Sequence, residues 1–69
     1  MTTKDAEDVI RFVEQHYPHL QANRGHEYMG RGWSVVVHNP AGSAHGELEI
    51  VDRQTDDDLR EALDQFQAS

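Results

Sequence analysis

Apolar residues recur along the first segment at Ala6, Val9, Ile10, Val13 and Tyr17, with Phe12 widening the stripe, which is the spacing of one face of an amphipathic helix. Thr2 or Thr3 is available to cap it, and Asp5, Glu7 and Asp8 fall in the first turns, where carboxylates favour the helix dipole. Pro18 disfavours the helical conformation at Tyr17, so the pattern predicts a helix from about residue 3 to His16 or Tyr17, with Leu20 folding back onto the core. Asn23-Arg24-Gly25 then reads as a turn.

From His26 the pattern changes. His26-Glu27-Tyr28-Met29 and Trp33-Ser34-Val35-Val36-Val37-His38 have strand composition, and Gly30-Arg31-Gly32 between them reads as a three-residue hairpin loop or, alternatively, as a bulge in one strand. Asn39-Pro40-Ala41-Gly42-Ser43 predicts a loop. In the segment 44–52 that follows, Leu48 and Ile50 alternate with Glu47 and Glu49, the period of a strand with one wet face. Thr55 before Asp56-Asp57-Asp58 is a helix start, and Leu59, Ala62, Leu63 and Phe66 form the apolar face of the helix that follows. The expected fold is therefore a single α+β domain over residues 1–69: a two-layer sandwich of α-β-β-β-α order, its three-stranded antiparallel sheet carrying both helices on one face.

Size and composition restrict what such a domain can do. A chain of 69 residues builds one thin core, since small domains bury only about 60% of the surface the unfolded chain exposes. There is no cysteine, which removes disulfides, thiolate zinc sites and cysteine nucleophiles. The opening residues are polar and charged, and the longest apolar run is Val35-Val36-Val37, so the expectation is a soluble cytoplasmic protein without membrane contact. Trp33 shares the parity of Val35 and Val37, so it is expected as a core anchor, an exposed partner contact being the alternative.

The formal charge is −7, and it is unevenly distributed. Residues 47–69 carry eight acids and two arginines, whereas residues 21–46 carry Arg24, Arg31 and one acid, Glu27. On a wheel of about 100° per residue, Asp57, Glu61 and Asp64 line up opposite Leu59, Leu63 and Phe66. Glu47 and Glu49 share one strand face and form a second short row. Such rows fit the phosphate-binding surface of another protein. The expected function is thus noncatalytic: a small acidic inhibitor or adaptor that uses Asp57, Glu61, Asp64, Glu47 and Glu49 to contact a basic surface, such as that of a nucleic-acid-binding protein, and does not itself bind nucleic acid. The alternative for the helix is a solvated face on which Arg60 pairs with Asp56 or Asp64. No cofactor is expected, and a homodimer through a sheet edge is compatible with three strands.

Other constellations point elsewhere. The α-β-β-β-α order is that of double-stranded-RNA-binding folds. Arg24-Gly25-His26 entering the first strand, with Pro40 after the second, resembles the small ribosome-independent RNA-cleaving toxins of that shape. That resemblance, carried by these few residues, implies RNA cleavage with His26 as general acid/base and Arg24 and Arg31 near the scissile phosphate. The acids of the last helix oppose it by repelling RNA. A third reading takes His26, His38 and His45 as metal ligands. His16 and His19 are separated by Pro18 and share no helical face. Ser34, Ser43 and Ser69 lack an activating motif, and Gly30-Arg31-Gly32 lacks the third glycine and the following helix of a phosphate-binding loop.

Overall fold

The computed structural model describes residues 1–41 and 46–68 and has the order α1 (Thr3–His16), β1 (Gln21–Tyr28), β2 (Gly32–His38), β3 (Leu48–Ile50), α2 (Asp56–Ala68). Both helices begin as their sequences require. The Thr2 hydroxyl accepts from the Asp5 amide at 3.1 Å, and the Thr55 hydroxyl accepts from the Asp58 amide at 3.2 Å. α1 stops at Tyr17, whose amide still donates to Val13 O at 2.7 Å before Pro18 turns the chain away.

The sheet is antiparallel with β2 in the centre. Val35 and Val37 point to one side and are fully buried with Ala6, Val9 and Val13 of α1, Ile50 of β3 and Leu59 and Leu63 of α2. One cluster thus joins buried residues of both helices to the inward-facing valines of the central strand. Leu20 and Tyr17 close it at the end of α1, and Trp33 packs at its margin with the Arg24 guanidinium 4.9 Å above the ring. Met29 lies outside the core altogether, 97% exposed at the hairpin tip.

The largest departure from the sequence pattern is β1. It starts at Gln21, five residues before the expected strand, and absorbs Asn23-Arg24-Gly25, which reads as a turn in sequence. The pairing runs regularly from Gln21 opposite His38 to Arg24 opposite Val35, then shifts, so that Glu27 lies opposite Trp33. Gly25 and His26 together therefore face Ser34, the geometry of a β-bulge. Gly25 is in this place for space rather than for an unusual backbone angle: a Cβ there would lie 2.6 Å from Val36 Cγ2 and 2.7 Å from Ser34 Oγ. Ser34, fully buried, accepts from the His26 amide at 3.1 Å and its hydroxyl reaches His26 O at 3.4 Å, satisfying the backbone that the bulge removes from the ladder.

The β1–β2 connection is a hairpin with Met29-Gly30-Arg31 as its loop, one residue earlier than the glycine pair suggests. The Arg31 amide donates to Tyr28 O at 2.9 Å, and Gly30, at φ +78°, occupies the turn position that disfavours a side chain. Met1 lies alongside β2 beyond the end of β3: its carbonyl accepts from the Trp33 amide at 2.6 Å and its nitrogen donates to Arg31 O and Trp33 O, each at 2.9 Å. A Cβ at Gly32 would collide with Met1 O, so this approach needs the glycine.

Two substitutions test the bulge. Gly25→Ala forces Val36 or Ser34 to move and is expected to cost about 1–3 kcal/mol of unfolding free energy. Ser34→Ala, which leaves the part-buried His26 amide without its acceptor, is expected to cost about 1–3 kcal/mol. Urea midpoints equal to that of the parent for both variants would show that this latch does not hold the strand.

Candidate functional site

The alternation of the central strand divides the surface chemistry between two faces. The core side of β2 carries the helices, so the solvent side of α2 is one candidate surface. Ser34, Val36 and His38 point to the opposite, outer face of the sheet, where Val36 pairs with Asn23 of β1 and Glu49 of β3. That outer face is the second candidate.

On α2 the carboxylates Asp57, Glu61 and Asp64 are exposed, opposite the buried Leu59 and Leu63. Asp56, Asp57 and Asp58 occupy the first turn, where the helix dipole stabilises negative charge. Asp56 is also paired with Arg53 at 3.3 Å. Asp64 ties α2 to the end of α1, because its Oδ1 accepts from the Tyr17 hydroxyl at 2.8 Å and from Gln67 Nε2 at 3.4 Å. Burial, the hydrogen bond to Asp64 and the Asp64 charge push the Tyr17 phenol above its ordinary value of 10.0, and the nearby Arg60 opposes them. Asp57 and Glu61 remain. They are one turn apart, and among the described residues neither side chain makes a hydrogen bond or ion pair. Arg60, the cation placed in sequence to neutralise Asp56 or Asp64, forms no ion pair with either, and its guanidinium lies 5.7 Å from the centre of the Phe12 ring.

The outer face of the sheet holds a different group. The Tyr28 hydroxyl donates to Glu49 Oε2 at 3.0 Å, and the His26 ring stands edge-on to Tyr28 with centroids 6.5 Å apart. The bond to Glu49, with lesser contributions from burial and the Glu49 charge, raises the Tyr28 phenol above 10.0. This group is invisible in the sequence because the bulge changes the parity of β1. Without the extra residue, His26 and Glu49 have no reason to share a face.

The structure therefore separates residues that the sequence groups together. Glu49 belongs to the outer face, whereas Asp57 and Glu61 belong to the helix bearing the core, and Glu47 is exposed just ahead of β3. The two acidic rows do not form one surface. His26 likewise lies on the outer face, while Arg24, opposite Val35, points to the helix-bearing side and stacks on Trp33, and Arg31 sits in the hairpin loop. His26, Arg24 and Arg31 do not converge on one point.

Of the metal-ligand set, His45 lies outside the described residues. His26 faces Ser34 and His38 lies four residues farther along β2, about 13 Å away at roughly 3.3 Å per residue. Among the described residues no three His, Cys, Asp or Glu side chains are arranged to hold a metal ion. No described helix is long and apolar enough to cross a membrane.

The chain matches no protein-family model, no curated protein and no solved structure.

The two tyrosines provide a titration test. Glu49→Gln removes the acceptor charge beside Tyr28 and is expected to bring one of the two phenol titrations down toward 10.0, leaving the other in place, as read by ultraviolet absorbance of tyrosinate. Because Tyr17 is raised in the folded state, its contribution to stability is present below pH 10.0 and is lost as pH rises through the folded value. Tyr17→Phe is expected to flatten that alkaline loss; an unchanged alkaline unfolding curve would place its cause elsewhere.

Proposed function

We propose that this chain is a noncatalytic acidic binding protein that docks on a basic surface of a partner protein, such as a nucleic-acid-binding protein, through the outer face of α2. The observation that carries the reading is the pair Asp57 and Glu61. Like charges one helical turn apart destabilise a helix by about 0.2–0.5 kcal/mol, and the cation available to relieve them, Arg60, is turned onto Phe12 instead. The helix dipole favours Asp57 in the first turn, but among the described residues neither Asp57 nor Glu61 has an ion-pair partner, so both are open to cations on another molecule.

The remaining acids extend this surface. Asp58 lies a residue from Asp57 in the first turn, and Asp64 holds both Tyr17 and Gln67 through Oδ1, which leaves Oδ2 for an outside contact. A rigid helix face presents the charges at fixed spacing, which suits a row of lysines or arginines on a partner. Opposite charges at such a contact act chiefly on association rate and are screened by salt. Glu47 and Glu49 lie away from this face and are outside the proposed contact. The same negative field disfavours nucleic acid as a direct ligand.

The test is affinity capture from the native cells at low and high salt, comparing the parent chain with Asp57→Lys/Glu61→Lys and with Glu47→Lys/Glu49→Lys. The expected result is a basic protein held by the parent at low salt and released at high salt, lost by the α2 variant and retained by the β3 variant. Equal capture by the parent and the α2 variant would contradict the proposal.

A further inference from the structure

β1 is an edge strand, and its two halves differ. The bulge at Gly25 and His26 distorts the second half, a device that blunts sheet edges against pairing. The first half, Gln21–Arg24, has regular register and, among the described residues, pairs only with β2. Beside it lies a cavity of about 460 Å³ lined by Glu14, Pro18, Leu20, Gln21, Ala22 and Asn23. Gln21, Ala22 and Asn23 are consecutive residues of this strand, Pro18 and Leu20 belong to the connection that leads into it, and Glu14 is in α1. The groove therefore lies between the end of α1 and the first residues of β1, with the exposed Glu14 among its lining residues. Among the described residues, the Glu14 side chain makes no hydrogen bond or ion pair.

We propose that the chain forms a two-fold dimer in which the Gln21–Arg24 edge pairs antiparallel with the same edge of a second copy, and Arg24 of each copy enters the groove at the partner's Glu14. Charge and parity select this occupant. Residues directly opposite each other in an antiparallel pair share a face. Ala22, opposite Val37, and Arg24, opposite Val35, both belong to the helix-bearing face, and Asn23 to the outer one. Placing Asn23 opposite the partner's Asn23 sets Ala22 opposite the partner's Arg24. The small Ala22 leaves room for the guanidinium, and Glu14 stands on the same side to receive it. The symmetry makes the contact twice, as an isologous interface requires. The edge of β3 offers no such match, because an antiparallel self-pairing there brings Glu49 against glutamates of the second copy.

In the free chain Arg24 stacks on Trp33, the one tryptophan present, so transfer of the guanidinium to the partner's Glu14 changes the environment of that ring. The experiment is sedimentation equilibrium of the full chain from about 10 µM to about 1 mM, the affinity range of a small interface, with tryptophan fluorescence and amide hydrogen exchange followed in parallel. The expected result is a concentration-dependent dimer, a fluorescence change with the same midpoint, and protection confined to amides within Gln21–Arg24. Arg24→Glu is expected to weaken the dimer by about tenfold or more, and Glu14→Lys combined with Arg24→Glu is expected to restore it. The double variant also controls for damage to the fold. A monomer at every concentration, a dimer indifferent to Arg24→Glu, or a double variant that remains monomeric overturns the proposal.

Discussion

The alternation of β2 is the constraint on which the rest of this small protein depends. Val35 and Val37 turn one side of the strand into the core, and the buried side chains of α1 and α2 belong to the same cluster. Ser34 and Val36 turn the other way, and they decide what β1 does there. The Ser34 hydroxyl takes the backbone of His26, and Val36 leaves room beneath β1 for no residue larger than glycine at position 25. With β2 central and both neighbours antiparallel, a change at any of these positions moves two faces at once.

The features legible in the sequence are those governed by local physics. The helix boundaries follow from Thr2, Thr55 and Pro18, because caps and the steric effect of proline act over a few residues. The strand at Trp33–His38 follows from its composition and the core face of α2 from periodicity. Gly25 marks the limit of such local rules. Beside Asn23 and Arg24 it reads as a turn glycine, yet it is required by Val36 and Ser34 across the sheet, a contact between residues nine to eleven positions apart. The bulge it permits then brings His26, Tyr28 and Glu49 onto one face, which no count along the chain anticipates. Tyr17 and Asp64 are a similar case: their bond joins residues 47 positions apart in sequence.

The candidate site is legible in its chemistry and less so in its extent. The row of acids on α2 can be read from helical spacing, but the separate duties of its members need the fold. Asp56 pairs with Arg53, Asp64 clamps Tyr17, and Arg60 covers Phe12. What remains is a narrower surface, centred on Asp57 and Glu61, and Glu47 and Glu49 fall outside it. The two interaction surfaces inferred for the molecule are consequently distinct: one is a helix face of uniform charge, and the other is a strand edge of mixed charge.

The proposed recognition of basic surfaces rests on the α2 face rather than on the acidity of the chain as a whole. The most direct measurement of that assignment is amide chemical-shift mapping of the isotope-labelled chain during titration with a short oligolysine peptide. Salt-sensitive shifts concentrated around Asp57 and Glu61 are expected, with the Tyr28 and Glu49 amides unmoved. Shifts spread evenly over all exposed carboxylates, or concentrated on the outer face of the sheet, would contradict it.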